Sequence, residues 1–260
     1  MNNKQSPTKP IILGLTLTSL LLGSLGILKA LITPKIASAI SLNQSPFQLA
    51  LKFRLPSKGT PGRRRGAGSR EGYCSSNEKL IALIPETNFG LTVAERPTFW
   101  FYVPYQSYKL EAEFLLEDNE GNKIDSQIVA LNNTPGIIKI TLPETLSPLE
   151  VERLYVWRLF MMCNPDNRLD DDYVWGGFER VSMSFELKSQ LKFKTKRERL
   201  KIYAENGLWF DFLTTLAELR EGNVEAQELD EDWVELWEQT QIGLEEISDK
   251  PLVDCCTSEQ

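Results

Sequence analysis

Across residues 80–187, short apolar runs alternate with turn residues and show no helical period. Residues 80–84 form one run, closed by Pro85, and residues 98–103 form another, with Phe99, Trp100, Phe101 and Tyr102 in succession between Pro97 and Pro104. Leu110, Ala112, Phe114 and Leu116 alternate with Glu111, Glu113 and Glu117, the period-two pattern of a strand with one wet face. Glu120-Gly121-Asn122 then reads as a turn and residues 124–130 as the hairpin partner. Pro135-Gly136 leads into residues 137–142, and residues 154–163 and 173–187 complete the set, with Gly176-Gly177 marking a bulge or bend. About seven such strands, spaced by turns, predict an immunoglobulin-like antiparallel β-sandwich over residues 74–188.

Beyond residue 188 the period changes. Trp209, Phe212, Leu213, Leu216 and Leu219 fall three and four apart, on one face of a helix. Asn206-Gly207 stops a preceding helix that starts near Lys194 and runs through Leu200 and Tyr203. Trp233, Leu236, Trp237 and Thr240 mark a third, with Asp230, Glu231 and Asp232 placed in its first turn, where the helix dipole favours them. Residues 189–248 therefore read as a small, tetratricopeptide-like helical unit, followed by a tail at 249–260. The fold class is α+β.

The N-terminus changes the picture of where this domain works. Lys4 and Lys9 precede the uncharged apolar run 11–28, and Ala37-Ser38-Ala39 has the small-x-small form of a cleavage site. Residues 1–39 read as a secretory signal peptide, with an uncleaved anchor as the alternative. Without them, 25 basic side chains face 36 acidic ones, a net charge of −11. The charge is uneven. Residues 52–72 hold seven basic side chains against Glu71 alone, whereas residues 201–260 hold 3 basic against 16 acidic. Such a surface repels nucleic acid and anionic membranes, except through the basic stretch. Residues 40–73, rich in Gly, Pro, Ser and Arg, read as a mobile basic arm.

Export makes the four cysteines disulfide candidates. Tyr155, Trp157, Leu159, Met161 and Cys163 share one strand face, so Cys163 points inward, and Cys74 is its expected partner. Cys255 and Cys256 could bond to each other, link two chains or stay free.

Candidate chemistry is sparse. The chain has no histidine, which removes Ser-His-Asp and Cys-His machinery, His-ligated zinc and the commonest general base. The stretch GTPGRRRGAGSR at 59–70 lacks the Lys-Ser or Lys-Thr of a phosphate loop and has no strand before it or helix after it. Arg63, Arg64, Arg65 and Arg70 remain candidates for contact with a polyanion. Asp166, Asp170, Asp171 and Asp172 form an oxygen-rich loop, a weak calcium candidate without EF-hand spacing. Glu86, Glu95, Glu113 and Glu179 could supply a glycosidase-like carboxylate pair, although the sequence does not say which two would meet. No cofactor is expected.

Together, GTPGRRRGAGSR before Cys74, LIALIPE, ERPTFWFYVPY, PGIIKITLP, YVWRLFMMC and YAENGLWFDFLTTLAELRE resemble a cyanobacterial secreted family called domain of unknown function 928. The resemblance runs from about Lys58 to Val253. It implies an exported or envelope protein and brings no catalytic residues. It also implies that the arginine stretch is a family signature joined to the β-domain through Cys74 rather than a random linker.

The expectation is a non-enzymatic envelope adaptor that binds another envelope protein through the acidic helical unit, with Trp209, Trp233 and Trp237 as the candidate surface. Nucleic acid is not expected as a partner, and the membrane is met only in transit through the signal peptide. The rivals are a histidine-free carboxylate hydrolase of envelope glycans, a polyanion-binding protein using the arm, and a sensor held by an uncleaved N-terminus.

Overall fold

The computed structural model describes residues 53–68, 72–106, 110–222 and 226–258. The expected signal peptide, the start of the arm and Arg70 lie outside the described residues. All described residues belong to the compact unit Gln44–Gln260. Its strands are β1 (Ile81–Ala82), β2 (Phe89–Thr92), β3 (Thr98–Val103), β4 (Glu111–Asp118), β5 (Lys123–Ala130), β6 (Gly136–Thr141), β7 (Arg153–Met161), β8 (Asp172–Arg180) and β9 (Thr257–Ser258). Its helices are α1 (Phe185–Leu191), α2 (Lys196–Glu205), α3 (Trp209–Glu221) and α4 (Ala226–Glu238).

The strands make two sheets, one ordered β1-β3-β6 and the other β2-β8-β7-β4-β5-β9. Every pairing is antiparallel except β2 with β8, which is parallel. The sheets meet through aromatic rings: Phe99 lies 4.9 Å from Phe114 and Phe101 lies 5.4 Å from Trp157. The other side of β3 is covered as well, since the Trp100 indole N–H donates to Thr214 Oγ1 of α3 at 3.1 Å. A strand covered on both sides has no reason to alternate, which is why 98–103 is a continuous aromatic run. In β4 the alternation is kept. Ala112, Phe114 and Leu116 are buried, while Glu113 and Glu117 face outward to Arg168 and Arg158.

The helices do not stand apart from the sheets, because α3 packs on β2 and β3 and carries α2 and α4 against its other sides. The Trp209 indole N–H donates to Leu83 O at 2.9 Å, and the Phe210 ring sits 5.2 Å from Phe99 and 5.6 Å from Phe178. Thr195 and Glu198 form a capping box at the start of α2, and the Lys194 ammonium, followed by the Thr195 bonds, lowers the Glu198 pKa to about 2. Gly207, at φ 71°, ends the helix as its sequence context predicts.

The structure corrects several expectations. The last long strand stops at Arg180, and α1 follows, its first turn capped by Ser184, which accepts the Leu187 N–H at 3.1 Å. Helix α4 starts at Ala226, because its apolar spacing reaches back to Leu229, so Asp230, Glu231 and Asp232 sit inside the helix. β7 and β8 pair without a register shift through Gly176-Gly177. Those glycines make room instead: a Cβ on Gly176 would stand 2.8 Å from the Trp157 ring, and one on Gly177 would stand 2.8 Å from Thr60.

Cys74 and Cys163 are bonded as expected, with Cα atoms 5.0 Å apart across 89 residues. Loop-closure entropy makes such a link worth about 4 kcal/mol. Cys255 and Cys256 are bonded to each other. The tail beside them is structured: Val253 N–H donates to Ile137 O, and β9 extends the sheet at β5.

Gly176→Ala should lower stability by about 1–3 kcal/mol through overpacking against Trp157, with the fold retained. Urea denaturation of the variant beside the parent measures it.

Candidate functional site

The arginine stretch is the densest concentration of candidate chemistry, and the structure makes it part of the fold. Arg63 N–H donates to Trp175 O and Trp175 N–H returns to Arg63 O, both at 2.9 Å. On the opposite side, Gly66 N–H donates to Leu80 O and Ala82 N–H donates to Arg64 O, both at 2.8 Å. Trp175 lies in the larger sheet, and Leu80 and Ala82 lie at the β1 edge of the smaller one. One extended segment therefore stitches the two sheets together, pairing with β8 just ahead of where β2 begins. Its glycines permit the approach: a Cβ on Gly62 would stand 2.5 Å from Asn88 Cβ, and one on Gly66 would stand 2.1 Å from Asp172 Oδ2. The described part of the arm is thus not the mobile segment that its composition suggested. A chain rich in glycine and arginine becomes ordered when its backbone groups all find partners.

Each described arginine of the triplet has an internal partner. Arg64 is 7% exposed. Its guanidinium donates to the carbonyls of Ile84, Ile242 and Gly243, the last at 3.1 Å. Burial, then the neighbouring Arg65, lowers its pKa. Arg65 reaches Glu246 at 2.6 Å and Gly243 O at 3.0 Å. The Arg63 guanidinium lies 4.4 Å over the Tyr173 ring and 3.8 Å from Asp172 Oδ1.

Buried Asp172 is the centre of this cluster. It accepts the backbone N–H of Ala67 at 2.8 Å and of Gly68 at 3.4 Å, and the Tyr105 hydroxyl at 2.6 Å. Burial and this carboxylate raise the Tyr105 pKa well above its usual value. The backbone N–H groups of the loop are thus turned onto a carboxylate of the same chain. A polar depression of about 580 Å³ opens beside it, lined by Ala67, Gly68, Ser75, Ser76, Asn77 and Glu78 among others. Glu78 is tied there to Lys250 at 2.7 Å and to the Tyr102 hydroxyl, bonds that lower its pKa.

The sequence profile of one family, described as Domain of Unknown Function (DUF928), matches residues 65–252. The chain belongs to this family. No curated protein matches it. The DUF928 match begins inside the stitching segment and ends beside β6, so it takes in strands β1 to β8 and helices α1 to α4, leaving out β9.

The other nominated residues of this DUF928 chain are scattered. Asp170 accepts the side-chain amides of Asn164 and Asn167, Asp171 pairs with Arg168, Asp172 turns inward to the arm, and Asp166 is exposed. Among the described residues no three His, Cys, Asp or Glu side chains gather as a metal site. Of the proposed carboxylates, Glu95 pairs with Arg180, Glu113 with Arg168 and Glu179 with Lys58. Glu86 lies close enough to Arg64 to oppose the lowering of its pKa.

Trp209, Trp233 and Trp237 are fully buried, which corrects their nomination as a surface. Trp237 sits 5.0 Å from Trp233 and 6.3 Å from Trp209, each pair edge to face, an arrangement that packs helix against helix.

Two buried carboxyls lie in the same helices: Asp211, which the sequence reading passed over, and Asp232, expected there only as a first-turn acid. Asp211 accepts the Val93 N–H at 3.1 Å, and desolvation pushes its pKa up to about 6. Burial likewise takes Asp232 to about 6, against the opposing pull of Arg197. Neither was legible as buried from spacing, because each shares its helix with exposed acids such as Glu218 and Glu231.

Two predictions follow from these contacts. Arg64→Leu should cost about 2–4 kcal/mol by leaving buried carbonyls unpaired, whereas Arg65→Ser should cost about 1 kcal/mol or less; thermal melts separate them. The folded state holds the Asp211 and Asp232 protons to higher pH than the unfolded chain, whose carboxyls titrate near about 4. Their contribution to stability therefore falls as pH rises from about 4 to about 6, then levels off. Asp211→Asn removes one of the two, so its Tm advantage over the parent should grow across that window and stay constant above it.

Proposed function

We propose that this protein is a non-enzymatic exported adaptor, with an immunoglobulin-like sandwich as scaffold and a tetratricopeptide-like helical layer carrying the partner surface. The observation behind this reading is the outer face of α4. Glu231, Val234, Glu235 and Glu238 recur there at spacings of three and four, with Val234 38% exposed among the carboxylates. Of the carboxylates that suggested catalysis, Glu95, Glu113 and Glu179 are instead engaged in ion pairs that tie strands and loops together. The partner surface accordingly moves from the buried tryptophans to these acids. An apolar side chain ringed by like charges suits a basic protein partner with a small apolar contact at its centre.

The Cys74–Cys163 bond supports export, since such links persist in oxidising compartments. The contacts between the two sheets support the sandwich. The N-terminal signal and a cyanobacterial source belong to the same proposal. The arm is not taken as the binding element, because Arg63, Arg64 and Arg65 already have partners within the fold.

The test is capture from cell envelopes with the mature chain as bait, beside the triple variant Glu231→Lys/Glu235→Lys/Glu238→Lys. We expect a basic protein to be retained by the parent, released as salt rises, and lost from the variant while its melting temperature holds. A partner that binds both baits equally would sink the reading. Truncation before the helices is no substitute, because α3 is part of the shared core.

A further inference from the structure

We propose that the outer side of α1 and the turn after it form a docking site for the surface of an anionic lipid bilayer, a role beyond the adaptor reading. Helix α1 turns Leu187 and Leu191 into the core. Phe185, Lys188 and Lys192, at i, i+3 and i+7, share a different side. Phe185 is 88% exposed, and Phe193, two residues past the helix, is 91% exposed. Whole phenyl rings held in water on one short segment mark an interaction surface rather than incidental exposure.

Phe193 carries a second mark. Its φ is 62°, in the left-handed region that glycine or asparagine occupies at ease and a bulky aromatic residue rarely does. The backbone strain is not offset by any burial of its ring, so the conformation presents the side chain outward at the expense of stability.

Charge selects the occupant. Residues 185–196 hold Lys188, Lys192, Lys194 and Lys196 against Glu186 alone, in a chain whose overall charge is −7. Lys194 and Lys196 pair with Glu198 and Glu218. Lys188 and Lys192 form no ion pair with any described residue. The Lys192 ammonium lies 5.0 Å over the Phe193 ring, so a cation and an exposed ring occupy one spot. Basic side chains beside projecting aromatics are the composition that binds anionic headgroups and seats rings at the acyl boundary. A bilayer yields around such projections, whereas a protein partner would need a matching groove for each ring. The acidic remainder of the protein is repelled by the same surface, which orients the basic patch toward it.

The experiment is cosedimentation of the mature chain with vesicles of about one-third phosphatidylglycerol in phosphatidylcholine, beside pure phosphatidylcholine vesicles. Binding is expected to the anionic vesicles only, weakening as salt rises. Lys188→Glu/Lys192→Glu and Phe185→Ser/Phe193→Gly should each reduce partitioning by about tenfold or more. Phe193→Gly relieves the backbone, so that variant should melt no lower than the parent, and its loss of binding cannot be attributed to unfolding. Absence of binding to anionic vesicles would overturn the proposal, as would binding that survives the phenylalanine changes. Concentration-dependent self-association abolished by the lysine changes would also overturn it, by showing the patch to be a contact between copies. The acidic variants of α4 keep this patch intact, so failure here and failure of the adaptor reading are separable.

Discussion

A buried guanidinium joins the two ends of this fold. Arg64 donates to carbonyls in the segment between β1 and β2 and in the loop after α4, so the first described segment and one of the last are held by one side chain. Carbonyl dipoles satisfy the charge where no carboxylate bonds directly to it, although Glu86 and Glu246 lie close enough to favour the charged form. Such an arrangement is valuable mainly because the alternatives are poor. Removing the cation strands several acceptors, and replacing it with a shorter one leaves the reach unmade.

The same segment explains how two sheets of unequal size remain one body. Backbone pairing alternates sides, reaching β8 from Arg63 and β1 from Arg64 and Gly66. Directly below, Asp172 gathers two backbone N–H groups and a tyrosine hydroxyl, which makes the loop's anion-binding geometry an internal fastening. The disulfide closes the far end of this segment onto the end of β7, so covalent and polar restraints act on a single stretch of chain.

Much of this was legible from residues alone, for identifiable reasons. Strands β3 to β8 announced themselves through proline and glycine boundaries and, in β4, through strict alternation. The facing set Tyr155 to Cys163 foretold the disulfide because strand geometry gives it a direction. Strand β2 stayed hidden: Phe89-Gly90-Leu91-Thr92 is short, contains a glycine and finds its partner in parallel, far along the chain. Its glycine lies under Phe210, whose ring would be 2.8 Å from a Cβ there, so the residue that hides the strand is the one that lets the helix approach. The arm misled for a related reason, since composition reports what a segment can do alone and says nothing of partners more than a hundred residues away. Exposed Phe185 of α1 was read as part of the strand at 173–187, and only burial could separate it from core residues.

The span of the Arg64 contacts has a kinetic meaning. Its bonds to Ile242 and Gly243 join positions 178 and 179 residues apart. A chain made from its N-terminus has Arg64 in hand long before these acceptors, so a segment made early is among the last to settle. Until then both sheet edges that it covers lie open, with unpaired N–H and C=O groups available to a neighbouring chain. Long-range closure of this kind slows folding more than it limits final stability. The period of greatest danger for this protein is therefore its assembly, when aggregation competes with the closing of its own stitch.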